Sequence, residues 1–123
     1  MEDDYITKLR VDFPFLQKVR CGVSFGRGWE PLIRKLCEDI SEILKGYPEF
    51  DFRVEQIKEK FGGLRFYPGA LGQDLFDPIT DLISAAEQES YKVCEDCGAP
   101  GEIREGGWIR VLCEKCHAGT ASS

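Results

Sequence analysis

Between Leu32 and Leu44 apolar residues recur at steps of three and four: Leu32, Ile33, Leu36, Cys37, Ile40, Ile43 and Leu44. That spacing gathers them on one stripe of an α-helix and leaves the other side charged. Pro31 suits a first helical position, where its missing N–H costs nothing, and Gly46 with Pro48 beyond it marks the stop. A shorter amphipathic helix is expected over residues 3–11, with Tyr5, Ile6 and Leu9 on one side, before the turn-rich connection Phe13-Pro14-Phe15-Leu16. From residue 50 the period changes to two. Phe50, Phe52 and Val54 alternate with Asp51, Arg53 and Glu55, Gly62-Gly63 marks a turn, and alternation resumes in Leu64-Arg65-Phe66-Tyr67 until Pro68-Gly69. A β-hairpin over 50–67 follows, although 56–61 would also suit a helical turn. A third helix is expected from Asp77-Pro78 to about Ser90, burying Ile79, Leu82, Ile83 and Ala86.

The last quarter of the chain obeys a different logic. Cys94-Glu95-Asp96-Cys97 and Cys113-Glu114-Lys115-Cys116 form the pattern C-x2-C-x15-C-x2-C. Two thiolates across a tight turn fill two corners of a tetrahedron, so two such turns supply the four ligands of a zinc ion. Glu102-Ile103-Arg104-Glu105 and Trp108-Ile109-Arg110-Val111 flank Gly106-Gly107, which reads as a two-residue hairpin turn bringing the second pair back to the first. Trp108 and Ile109 are expected to attach this ribbon to the rest of the chain. Four thiolates leave no position for water, so the metal reads as structural, one Zn2+ held by Cys94, Cys97, Cys113 and Cys116; iron in the same site is the alternative. The residues expected are thus an α+β body over 1–93, of two to three helices on a small antiparallel sheet, with a C-terminal zinc ribbon over 94–118 packed on it and a frayed tail over 119–123.

Other strings compete for attention. Cys113-Glu114-Lys115-Cys116-His117 matches a haem-attachment string, but the chain has one His in all and haem would strand Cys94 and Cys97. A redox C-x-x-C sits at a helix N-terminus near a βαβ pattern, and neither pair is expected to do so. Gly22-Val23-Ser24-Phe25-Gly26 fits a nucleophile-elbow pattern without the helix that must follow at once, and the one His lies beside the ligands. His117 reads as a solvent-facing neighbour or a donor to a ligand sulfur. Cys21 and Cys37 read as buried free thiols.

Charge narrows the function classes. Sixteen Lys and Arg against twenty-two Asp and Glu leave a net charge of −6, which disfavours non-specific binding to a phosphate backbone. Residues 73–93 hold five acidic groups against one basic, a solvated face or a surface complementary to a basic partner. Against this, Arg53, Lys58, Lys60 and Arg65 lie near Phe61, Phe66 and Tyr67, a mixture that could stack a base and pair a phosphate or could be an ordinary amphipathic sheet. The candidate interaction residues are therefore Lys58, Lys60, Arg65 and Tyr67 on the hairpin and Asp74, Asp81, Glu87 and Glu89 on the acidic segment. No apolar run approaches the roughly 18–20 residues of a membrane-spanning helix, and Met1-Glu2-Asp3-Asp4 is acidic where an export signal is basic and then apolar, so the expected location is the cytoplasm.

Gly28-Trp29 leading into an amphipathic helix, the run from Gln56 to Tyr67 (QIKEKFGGLRFY), Cys94-x-x-Cys97-Gly98-x-Pro100-Gly101 and the run from Gly106 to Cys113 (GGWIRVLC) occur together. This combination, across residues 28–116, resembles a family of small proteins found in bacteria and their phages or prophages. The resemblance implies a phage or mobile-element accessory protein with the four cysteines as zinc ligands, and it carries over no catalytic residue. The function expected is a non-enzymatic interaction protein that modulates or inhibits a host or defence macromolecule through a protein–protein contact. The alternatives are a nucleic-acid-binding ribbon, and a small-ligand binder or enzyme using the glycine-rich loop 21–28.

Overall fold

The computed structural model describes residues 3–19, 21–106 and 108–121. Among them run four helices and two small antiparallel sheets, an α+β mix: α1 (Asp4–Asp12), α2 (Glu30–Leu44), β1 (Val54–Lys60), β2 (Gly63–Pro68), α3 (Gln73–Ser90), β3 (Glu102–Arg104), β4 (Arg110–Leu112) and α4 (Glu114–Ala121). The stripe expected on α2 is buried through Ile33, Leu36, Cys37 and Ile40. It meets Leu75, Ile79, Ile83 and Ala86 of α3, Ile57 of β1 and Leu64 and Phe66 of β2 in one core, to which α1 adds Ile6 and Leu9.

Trp29 is the keystone. It closes a 3-10 turn, Arg27–Trp29, that runs straight into α2. The side chain has no exposure, and its indole N–H donates to the Val93 carbonyl at 2.9 Å. A buried indole needs that partner, and the partner is the residue just before Cys94, the first cysteine of the C-terminal pairs.

The β1–β2 hairpin has its two edges covered in different ways. On the β1 side, Cys21 N–H donates to Glu55 O, Ile57 N–H to Gly22 O and Ser24 N–H to Ile57 O, so the glycine-rich segment runs as a short parallel partner. On the β2 side the exposed donors are taken by side chains of α3: Leu64 N–H by Ser90 Oγ at 2.9 Å and Phe66 N–H by Glu87 Oε2 at 3.0 Å. Unpaired edges invite association with other chains; here both are occupied.

Four sequence expectations change. The first hairpin pairs Lys60 with Gly63, so its turn is Phe61-Gly62, with φ of 54° and 89°. Positive φ at both turn residues is what lets a two-residue hairpin follow the right-handed twist of its strands, at the cost of placing Phe61 in a region that side chains disfavour. Helix α3 starts at Gln73, with Pro78 inside it; burying Leu75 a turn earlier extends the helix past the proline, packing overriding propensity. In the second hairpin Arg104 pairs with Arg110, so its loop spans 105–109 rather than two residues, and Gly107 lies outside the described residues. Residues 119–121, expected to fray, continue α4, while 122 and 123 lie outside the described residues. Among the described residues no helix is long and apolar enough to cross a membrane.

Candidate metal centre

Each pair of cysteines is held by its own turn. In the first, Gly98 N–H donates to Cys94 O at 2.9 Å, and Cys94 N–H donates to Ala99 O at 2.8 Å. The β3–β4 pairing places Leu112 opposite Glu102, and Glu95 N–H donates to Val111 O at 2.9 Å, which carries Cys113 alongside Cys94. The second pair opens a helix. Cys113 precedes α4 and Cys116 lies in its first turn, with Cys116 N–H donating to Cys113 Sγ at 3.4 Å. The second pair thus lies at a helix N-terminus, contrary to expectation, because Glu114 onward is helical rather than tail.

All four sulfurs lie within 4.8 Å of one another. Cys97 and Cys113 sulfurs are 3.6 Å apart, too far for a bond between them. Zinc–sulfur bonds of about 2.3 Å at tetrahedral angles separate sulfurs by about 3.8 Å. The donor set therefore fits one tetrahedral, thiolate-binding metal ion. Burial raises the Cys94 thiol, but the N–H groups of Cys113, Cys97 and Asp96 more than offset it and bring it to about 7. Hydrogen bonding among the sulfurs of Cys113, Cys94 and Cys97 pushes Cys116 up to about 12. Four crowded thiols cannot all ionise alone; a divalent cation removes that conflict, since a coordinated thiol is deprotonated.

The glycine-rich loop is used here, as the seat of the first cysteine turn. Gly28 N–H donates to Glu95 O at 2.7 Å. A Cβ on Gly28 would sit 2.1 Å from Cys94 O and 2.5 Å from Gly98 N, so only a residue without a side chain lets the backbones approach. Beside this contact, Glu95 is buried at 6% exposure. Its Oε2 accepts from Gly26 N–H at 2.9 Å, while its Oε1 lies 3.8 Å from Arg110 Nη2 and has no hydrogen-bond partner among the described residues. Burial raises the Glu95 carboxyl, with Gly26 N–H and Arg110 pulling the other way. Nothing in the spelling of a C-x-x-C marks its second residue as buried, so sequence reasoning passed over Glu95. It passed over Trp29 as the attachment point as well: of the two residues expected to attach the ribbon, Trp108 is 73% exposed, while Ile109 lies with Ile103 beside Gly62 of the first hairpin.

The candidate interaction residues do not form one surface. Lys58 and Arg65 are cross-strand partners and Tyr67 faces Gln56, with Lys60 exposed beside the turn. Phe66 is buried and so is not part of a stacking platform, and Arg53 is paired with Asp51. On α3, Asp74, Asp81 and Glu89 are exposed, whereas Glu87 turns inward to the β2 edge. Cys37 is buried, which pushes its thiol up to about 12, but Cys21 is exposed, a correction to its reading as a core residue. Compared with family models, curated proteins and solved structures, the chain gives no match.

Proposed function

We propose that the protein is a zinc-stabilised, non-enzymatic interaction module whose α3 face docks on a basic surface of a protein partner. The metal is Zn2+, bound by Cys94, Cys97, Cys113 and Cys116, and its role is to hold the ribbon in place. The observation that carries the docking surface is the charge state of α3. Its eighteen residues include five carboxylates and no Lys or Arg, and no ion pair among the described residues involves any of them. An unneutralised anionic helix speeds encounter with a cationic partner and selects against wrong ones. On the resemblance, we infer a phage or mobile-element accessory protein acting on a host or defence factor. The nucleic-acid alternative ranks second: Lys58 and Arg65 remain adjacent on the hairpin, but the buried Phe66 cannot stack a base.

Affinity capture with the zinc-loaded protein tests the reading. A partner recovered at physiological salt, weakened by added salt and lost with the D74K/D81K/E89K variant, is the expected result. Recovery of no partner at low or physiological salt counts against it, and so does a partner indifferent to the charge reversal. Titrating labelled single- and double-stranded DNA and RNA at two salt concentrations separates the second reading, which demands a steep salt slope.

A further inference from the structure

Between the first hairpin and the ribbon lies a cleft of about 440 Å³, lined by Ser24, Gln56, Lys58, Glu59, Glu95 and Trp108, with Arg110 at its side. Its volume falls in the range of small-molecule sites. Its chemistry is specific in what it lacks. Glu95 Oε1 is buried with no hydrogen bond to answer it, a costly arrangement that asks for a donor. Arg110, the nearest cation, is already paired with Asp96 at 2.5 Å and stands 3.8 Å from Glu95. Glu59 keeps one oxygen on Gly62 N–H at 2.7 Å. Lys58 has no ion-pair partner among the described residues, so the cleft offers one carboxylate oxygen without a hydrogen-bond donor, at ion-pair distance from Arg110, and one unpaired cation. Trp108 adds a flat apolar surface, with Arg110 5.5 Å from its ring centroid and 73% of the residue exposed.

A ligand that answers all three features must donate N–H to a carboxylate, carry an anion toward Lys58 and present a π face. A lone cationic side chain meets the first condition but is repelled by Lys58 and Arg110. A zwitterionic amino acid meets the first two and leaves Trp108 idle. Guanine meets the conditions together, because its N1–H and N2–H donors lie side by side on one edge. Adenine and cytosine each offer a single amino group there. Nucleobases are commonly read in this way, by edge hydrogen bonds and stacking on an aromatic side chain.

We propose that this cleft binds a guanine nucleotide, with Glu95 and Glu59 accepting from the base edge, Trp108 stacking on the ring and Lys58 pairing the phosphate. The proposal is independent of the α3 docking surface and places the ligand-binding alternative beside the glycine-rich loop rather than on Gly26 and Gly28, which pack against Glu95 and Cys94.

The test is calorimetric titration of the zinc-loaded protein with GMP, AMP, CMP and arginine amide, alongside tryptophan fluorescence, in which Trp29 is a buried background and only the exposed Trp108 is within a ligand's reach. GMP should bind with the tightest affinity and quench the exposed tryptophan. E95Q presents an amino group where the base needs an acceptor, and should weaken GMP about tenfold to a hundredfold. W108A should weaken it about tenfold; because that residue is exposed, the fold should survive and the loss reports binding alone. No heat with millimolar GMP overturns the proposal, as does GMP affinity unchanged in a zinc-loaded, folded E95Q. Tighter binding of arginine amide than of GMP overturns it too, by assigning the cleft to a cationic side chain.

Discussion

The two ends of this chain are held together by different physics. Up to Val93 the fold is a hydrophobic core in which Trp29, Ile33, Ile40, Leu64 and Ile79 have no exposure. From Cys94 onward, the buried apolar positions among the described residues are Cys94, Val111 and Leu112. That is far too little apolar area to offset the conformational entropy of ordering more than twenty residues. The body can stand on burial; the ribbon has in its place four cysteines close enough to hold a metal ion. On the zinc site proposed above, those cysteines substitute for a core, and the two regions should fail separately.

Removing the metal should produce the largest effect. Binding free energy of about 10–16 kcal/mol for a structural zinc site acts as folding energy, so chelation or C113S should abolish protection from hydrogen exchange in residues 94–121. Residues 30–90 should keep theirs. Unchanged protection in both regions would erase the distinction; simultaneous loss in both would make the metal the support of the whole molecule.

The converse experiment uses the two tryptophans. Trp29→Ala opens a cavity in the body and deletes the bond to Val93, and should cost about 3–5 kcal/mol in denaturant unfolding. Trp108→Ala, on an exposed side chain, should change stability by less than about 0.5 kcal/mol. Comparable losses at the two positions would show that the ribbon leans on Trp108 after all. At the seam between the regions, Gly28→Ala forces a methyl group against the Cys94 carbonyl and should cost about 1–3 kcal/mol. It should also weaken zinc affinity, because the displaced backbone is that of the knuckle. A substitution that lowers stability without touching metal affinity would show that the seam is not shared.

How much of this was legible in the sequence follows the same division. Short-range patterns came through. The α2 stripe needs only its own spacing, and C-x2-C-x15-C-x2-C marks the four cysteines whose sulfurs the fold gathers within 4.8 Å of one another. What needed a partner from far along the chain did not. Pro78 marks a helix start locally, and only the burial of Leu75 against the core moves that start to Gln73. Gly62-Gly63 looks like a turn, but pairing Lys60 with Gly63 puts Phe61 in it. Glu95 looks solvent-bound until Gly26 and Gly28, almost seventy residues earlier, close over it. Glu87 looks like part of an acidic face until β2 offers it the Phe66 N–H. The last two misses are side chains whose environment is supplied by a distant segment, whereas the first two are element boundaries that packing and strand register decide.

A smaller effect probes how acid reaches the two regions. In the ribbon, the zinc ion proposed above would be released as acid protonates its thiolates. In the body, Asp12 accepts from Arg34 at 2.8 Å and from Lys8, and Arg34 foremost holds its carboxyl below the usual value of 3.8. A carboxyl depressed in the folded state contributes stability that is present above its unfolded value and lost as pH falls through its folded value. The pair is solvent-exposed, so the contribution is small and screened by salt. Metal release complicates any single acid titration, but it is common to the wild type and to Asp12→Asn, whose ribbons are identical. The difference in melting temperature between the two proteins therefore isolates the body. It should favour the wild type slightly at pH 7, shrink in high salt and vanish near pH 2. A difference that persists at pH 2 would mean that Asp12 acts through packing or capping rather than charge, and that the acid response belongs to the ribbon alone.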